Sequence, residues 1–274
     1  LESAVAKKEA KRKANKQFYD IPHVFIATPA YDGKVDTDFA QSCISATQAA
    51  TVYGIQVTGA VMGNGAFIDL ARNMFVKLFL KENKECTHLL FIDADLKFEA
   101  RAFVEVVRHC TEDRPVIAGV YPKRQDIEEY PVRWTPHPEL SQNGIDRLWY
   151  DEQGFLMCNR VPTGFLCIRR NVLEEMSAEA PIMEIKGHGK VPRLFYTYIN
   201  EQNQFIGEDF AWCDDYVKRY GKQISVWPDF DFVHGGIKGN YQRWISKHAV
   251  NVDDDGYAVR KTINKREPRR VVNV

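Results

Sequence analysis

Asp93 and Asp95 stand one residue apart, directly after the apolar run His88-Leu89-Leu90-Phe91-Ile92. Carboxylate oxygens are the ligands that hard cations such as Mg²⁺ and Mn²⁺ take, and such ions bridge to phosphates. A cation held there would neutralise the charge that builds on a departing diphosphate. Asp-x-Asp is also common in surface loops, and the buried run ahead of it is what singles this copy out. Side chains at i and i+2 of an extended segment share a face, so the pair is expected to address one ion.

Further candidates are spread along the chain. Glu208 and Asp209 open a helix after Gly207, where an acidic side chain serves either as a cap or as a proton acceptor. Arg72 lies beside the apolar face of an earlier helix, and a guanidinium there needs a partner because burying it alone is costly. A donor phosphate or Asp95 would be a functional partner; Asp69 or a surface carboxylate would be a structural one. His234 precedes Gly235-Gly236, and a lone histidine more often has a structural role. Lys238, just beyond, can meet a diphosphate as a point charge.

These residues need a frame at whose edge they can meet. Residues 23 to 28 form a β-rich run that ends at Pro29, and residues 37 to 53 read as a helix stopped by Gly54. Residues 56 to 62 read as a second strand, followed by the turn Gly63-Asn64-Gly65. Phe67, Leu70, Ala71, Met74, Phe75, Leu78 and Phe79 then recur at helical spacing. A third strand over 88 to 92, a helix over 99 to 110 and a strand over 116 to 120 follow. The alternation predicts an α/β fold: a mostly parallel, Rossmann-like central sheet flanked by helices, with ligands gathering at the carboxyl ends of its strands. Residues 121 to 159 break the rhythm and read as an irregular excursion. A strand over 162 to 169, a short helix over 171 to 176, a polar excursion over 180 to 205, a helix from 208 to 220 and a strand over 223 to 227 come next. The segment 232 to 236 is the last informative element.

Six short motifs occur in a telling order: Ala27-Thr28-Pro29-Ala30-Tyr31, Asp69-Leu70-Ala71-Arg72-Asn73, Phe91-Ile92-Asp93-Ala94-Asp95, Pro162-Thr163-Gly164-Phe165, Gly207-Glu208-Asp209-Phe210 and His234. On these the chain, over residues 24 to 234, resembles glycosyltransferases of the GT-A fold, especially the family-2-like enzymes of bacteria, phages and large viruses. The resemblance implies that the loop of Thr28, Pro29, Ala30 and Tyr31 lines a nucleoside pocket. Tyr31 would stack on a base and Asp32 would accept from a uracil or guanine edge, although Asp32-Gly33 equally suits a turn. It implies a metal held by Asp93, Asp95 and His234, with Ala94, Arg72 and Lys238 on the donor side. A mixed oxygen and imidazole shell favours Mn²⁺ over Mg²⁺.

Glu208 or, by preference, Asp209 would deprotonate the acceptor if the enzyme inverts configuration; in a retaining enzyme Asp209 would only position substrate. Gly164 would let the backbone approach the transferred sugar, a β-bulge being the alternative. Lys123 and Arg124 read as solvated surface, with phosphate or acceptor contact as the alternative. Trp134 and Trp149 are candidates for a sugar-stacking platform, although most large aromatics are core residues.

The implied activity is metal-dependent transfer of a sugar from a UDP- or GDP-sugar to a hydroxyl acceptor. That acceptor is a glycan, a lipid, a protein or, in a phage-type enzyme, a hydroxymethylated DNA base. A nucleotidyltransferase acting on sugar phosphates would need a glycine-rich phosphate loop, of which residues 28 to 33 are a poor version. A non-catalytic nucleotide- or sugar-binding module would have no use for a base such as Asp209.

Composition bounds these readings. The 274 residues carry 37 Lys and Arg against 37 Asp and Glu, which argues against a surface that grips nucleic acid throughout. Apolar content of 45% suits one sizeable core. The domain is expected over 21 to 250, between a basic arm (1 to 20) and a polar, basic tail (251 to 274). Those tails keep a DNA acceptor on the list, with solvated segments as the simpler account. No apolar run approaches the roughly 20 residues of a membrane span, and the start lacks a signal-peptide pattern. Cysteines 43, 86, 110, 158, 167 and 213 form no Cys-x-x-Cys pair and read as free thiols of a cytoplasmic protein, in host cytoplasm if viral.

Overall fold

The computed structural model describes residues 21–63, 67–125, 128–139, 141, 147–252 and 258–260. The arm expected at 1 to 20, the residues 64 to 66 and most of the tail (253 to 257 and 261 to 274) lie outside them. The elements are β1 (His23–Ala30), α1 (Thr37–Val52), β2 (Gln56–Gly63), α2 (Ile68–Glu82), β3 (His88–Ile92), β4 (Leu96–Phe98), α3 (Ala100–His109) and β5 (Val116–Gly119). Next come β6 (Arg133–Trp134), β7 (Leu156–Arg160), β8 (Phe165–Arg169), α4 (Arg170–Glu179), β9 (Ile182–Ile185), β10 (Gly189–Pro192), β11 (Tyr198–Ile199) and β12 (Phe205–Ile206). The chain continues through α5 (Glu208–Tyr220), β13 (Ile224–Trp227), β14 (Asp231–His234), β15 (Ile237–Asn240), α6 (Tyr241–His248), β16 (Ala249–Val252) and β17 (Ala258–Arg260).

Eight strands form the central sheet in the order β2-β1-β3-β8-β5-β13-β7-β6. β1 pairs parallel with β2 and β3, and β13 with β5. β8 runs antiparallel to both β3 and β5, and β7 runs antiparallel to β13 and β6. The fold is therefore α/β with a mixed central sheet flanked by helices: β1, β2, β3, β5, β6 and β13 run one way, as the mostly parallel expectation has it, and β7 and β8 run against them. A short apolar run fixes that a strand is buried; its direction is set by connections that local pattern does not encode.

β3 shows why the sheet is buried on both faces. All five of its residues are buried; Leu89 and Phe91 face one core while Leu90 and Ile92 face the other, as a period of two requires. The first core packs α2, α4 and α5 against the sheet, and the second packs α1 and α3. On α2 the buried face includes Arg72, Asn73 and Val76 with Ala71, Phe75 and Phe79. Phe67, counted on that face from the sequence, is exposed.

The expected excursion over 121 to 159 contributes β6 and part of β7 to the sheet. The polar stretch of 180 to 205 folds into the β9–β10 hairpin and β11, which pairs with β12. β15 and α6 extend the chain beyond residue 236, and the β16–β17 pair crosses the expected boundary at 250. Trp134 and Trp149 pack partly buried against the two cores. All six cysteines are free, five of them buried. No helix among the described residues is long and apolar enough to cross a membrane.

Candidate functional site

The Asp93-Ala94-Asp95 segment is a turn and not an extended strand: the Leu96 N–H donates to the Asp93 carbonyl at 3.2 Å. The chain leaves the central sheet at Ile92 and re-enters a second, three-stranded sheet as β4, in the order β15-β14-β4. This reversal sends the two aspartates to different neighbours, which corrects the expectation that they share one face. The β14–β4 pairing sets His234 opposite Leu96, and that register brings a residue 139 positions downstream beside Asp95. His234 Nε2 lies 3.5 Å from Asp95 Oδ2.

Asp93 is held from three sides. Its N–H donates to the Gly164 carbonyl at 2.9 Å. The Tyr121 hydroxyl donates to Asp93 Oδ2 at 3.4 Å and accepts the Gly164 N–H at 2.9 Å. Arg72 Nη2 donates to Asp93 Oδ1 at 3.3 Å, and its Nε donates to Glu208 Oε1 at 3.4 Å. The protein partners of Arg72 are thus the first aspartate of the motif and Glu208, in place of Asp95 or Asp69. Burial opposes the charge on Arg72, yet Asp93 and Glu208 outweigh it and hold the guanidinium above its ordinary value. Burial and Asp93 push the Tyr121 phenol well up, so it stays a donor.

Gly164 opens the way into β8, and here a side chain is excluded by space. A Cβ would fall 2.2 Å from both Asp93 Oδ2 and the Tyr121 hydroxyl. The bare Cα therefore seats the carboxylate.

On the other side of Arg72, α5 begins at Glu208. Its position is fixed from α2: Asn73 donates to the Phe195 carbonyl at 2.7 Å and accepts from the Leu194 and Phe195 N–H groups at 2.8 and 2.9 Å. Trp212 stacks on Phe195 beneath. Asp209 accepts the Phe210 N–H at 2.8 Å and makes no ion pair among the described residues. Burial, then the charge of Glu208, raise its pKa to about 6. A carboxyl in that range exchanges protons near neutral pH.

The cleft at the carboxyl edge of β1 and β3 has a volume of about 670 Å³ and is lined by Pro29, Ala30, Tyr31, Asp32, Asp93, Ala94, Asp95, Arg124 and Gly235 among others. That size suits a nucleotide-like ligand. Tyr31 is 78% exposed over it. Asp32 accepts from the Lys34 N–H at 3.1 Å, the turn alternative, and its other oxygen pairs with Lys34 at 3.5 Å. The loop is tied to the acidic turn, because the Asp36 N–H donates to the Ala94 carbonyl at 2.9 Å. Thr28, expected in the wall, is buried in the strand behind it. Lys238 does not reach the cleft and pairs with Asp231 at 3.3 Å. Among the described residues the cations that line the cleft are Lys34, paired with Asp32, and Arg124, for which solvated surface is the expectation from sequence. One signal was available: Arg124 follows β5 at the same sheet edge where Asp93 follows β3, and loops at that edge are where ligands bind.

Asp95 and His234 fit a divalent cation in donor chemistry and orientation. His234 Nδ1 donates to the Pro122 carbonyl at 2.8 Å, which leaves the Nε2 lone pair facing Asp95. Burial lowers the His234 pKa and favours the neutral, ligating form. Asp93 is committed to Arg72 and Tyr121. Among the described residues, the group of three potential ligand atoms lying within 4.8 Å of one another is His23, Glu85 and Cys86, at the amino ends of β1 and β3 and away from the cleft.

No family model matches the chain, and no curated protein matches it in sequence. Among solved structures, A197 from STIV is similar at 15% identity, over 91% of this chain and 100% of that one, with a TM-score of 0.49. A glycosyltransferase involved in the glycosylation of the major capsid of PBCV-1 is similar at 7% identity, over 56% and 63% of the two chains, with a TM-score of 0.30. The 4-diphosphocytidyl-2C-methyl-D-erythritol synthase of Anaerococcus prevotii is similar at 7% identity, over 73% and 97%, with a TM-score of 0.31. At these identities the likeness is one of fold alone.

Proposed function

We propose that the chain is a metal-dependent glycosyltransferase that moves a sugar from a UDP- or GDP-sugar in the cleft to a hydroxyl acceptor. One observation carries this reading. The buried Arg72 links Asp93, on the cleft side, to Glu208, and beside that link stands Asp209, unpaired among the described residues, with a pKa of about 6. Glu208 is neutralised by Arg72, so of the two acidic residues Asp209 is the one suited to accept a proton.

Tyr31 offers a face for the nucleobase, and Asp32 a carboxylate at its edge. Mn²⁺ or Mg²⁺ held by Asp95 and His234 would supply charge neutralisation for the departing nucleoside diphosphate. Asp93 is oriented by Arg72 and Tyr121. In a single displacement the acceptor oxygen bonds to the anomeric carbon as the bond to the diphosphate oxygen breaks. The bonding pair leaves with the diphosphate, and the acceptor's proton passes to Asp209. The acceptor in this reading is a glycan, with a hydroxymethylated DNA base as the variant to include.

Calorimetry with UDP- and GDP-sugars, first with Mn²⁺ and then with EDTA, tests the donor side. Metal-dependent binding of one donor is expected. Asp209→Asn should keep that binding while transfer falls by roughly 10²-fold or more. A chain that binds no donor under either condition is not this enzyme, and transfer at near-native rate in Asp209→Asn removes the base.

A further inference from the structure

We propose that Arg124 is a built-in counterion that holds the seat between Asp95 and His234, and that a divalent cation enters by displacing it toward the donor diphosphate. The inference rests on the metal-dependent reading above and goes beyond it, by making metal entry and diphosphate binding one coupled event. Three contacts carry it. Arg124 Nε donates to His234 Nε2 at 3.0 Å. Its Nη2 forms an ion pair with Asp95 Oδ2. Its stem lies against Gly235, where a Cβ would fall 2.9 Å from Arg124 Cδ.

The planar guanidinium thus spans the imidazole lone pair and the carboxylate together, a geometry that a fork of N–H donors satisfies and a point charge does not. Those same two groups are the donor set for the ion. The single Nε2 lone pair of His234 cannot serve guanidinium and metal at once, and a divalent ion beside a guanidinium is repelled. The two occupants exclude each other.

Displacement is easy for this residue. The Arg124 side chain is 59% exposed, while the loop beneath it is pinned by the Lys123 N–H donating to the Glu129 carbonyl at 2.8 Å. The arm swings while its base stays. Arg124 lines the cleft; Lys34, which lines it too, is paired with Asp32 and Lys238 with Asp231, so the freed guanidinium is a cation at hand for a diphosphate. Arginine forks suit phosphate oxygens.

The test uses the full chain and Arg124→Met, which keeps a stem over Gly235 and removes the charge, with Arg124→Lys as a second variant. Circular dichroism and melting establish that each is folded. Titration with Mn²⁺ alone should show Arg124→Met binding up to about fivefold tighter than the native chain, the scale of a mostly exposed ion pair removed. UDP or GDP titrated in saturating Mn²⁺ should bind Arg124→Met about tenfold more weakly. Arg124→Lys should fall between native and Met on both measures. Mn²⁺ affinity equal to or below native in Arg124→Met overturns the displacement while the metal-dependent reading stands. Unchanged UDP and GDP affinity overturns the handover to diphosphate. If neither native chain nor variant binds Mn²⁺, this proposal and the metal reading fall together.

Discussion

Asp209 illustrates how a buried carboxyl strains the fold that holds it. Its pKa is raised from 3.8 to about 6 in the native state. Between those values the folded chain binds more protons than the unfolded one, so stability falls as pH rises through this window. At neutral pH the full cost, on the order of 1–3 kcal/mol, is present. Asp209→Asn should therefore be more stable than the native chain by about that amount at pH 7.5. The gain should shrink as pH falls and vanish below about pH 4 in urea denaturation series. Transfer by the native chain should rise with pH, with a midpoint near 6 and then a plateau. A pH-independent rate from 5 to 8, or an Asp209→Asn chain less stable at pH 7.5, would sink the assignment.

Individual residues differ in how far sequence could place them. Asp93, Asp95 and Asp209 were legible because each follows a recognisable strand or helix boundary. The divergence of the two aspartates was not, since it depends on a turn closed by a backbone bond to Asp93. Lys238 and Arg124 exchanged importance for the same reason: which of two basic residues meets the cleft depends on strand register, and a polar loop shows no periodicity from which to read it.

At the scale of elements, the Asp95–His234 contact exists because β14 docks on β4. Nothing near His234 in sequence announces Asp95; the Phe232↔Phe98, Val233↔Lys97, His234↔Leu96 register supplies it. Phe232 seats that strand. It is buried, with its ring 5.1 Å from Phe165 and 6.3 Å from Tyr121. Phe232→Leu should cost about 1 kcal/mol by imperfect repacking and should also weaken Mn²⁺ binding, because His234 shifts with β14. Phe79→Leu, in the core on the other face of the sheet, should cost a similar amount and leave Mn²⁺ affinity alone. Equal loss of metal affinity in both variants would mean that general loosening, and not the β14–β4 register, governs the site. The same dependence on long-range pairing explains which elements were readable. β1, β2, β3 and β5 follow one another with intervening helices and clear periods. β7 and β8 are short apolar runs whose antiparallel course is decided by partners that arrive from elsewhere in the chain.

For the whole molecule, the cleft gathers walls from both sides of the sheet. Its lining comes from the β1–α1 loop, the end of β2, the start of α2, the β3–β4 turn, the segment after β5 and the turn after β14. Gly63 helps join them: a Cβ there would fall 2.8 Å from Gly33 Cα, so the bare residue lets the first loop lie over the end of β2. A ligand that touches all these segments binds only the folded chain and stabilises it as a unit. At a hundredfold excess over its dissociation constant, a nucleoside diphosphate with Mn²⁺ should add about 2.7 kcal/mol. For a domain of this size that is a rise in melting temperature of roughly 5–10 °C. Mn²⁺ alone should give a smaller rise, because it must displace Arg124 with no diphosphate to receive the freed guanidinium. Scanning calorimetry of the native chain with Mn²⁺, with UDP or GDP, and with both tests the cleft as a whole. A joint shift that exceeds the sum of the separate shifts is the expected result, and a melting temperature indifferent to all three would mean that the cleft does not take a nucleotide.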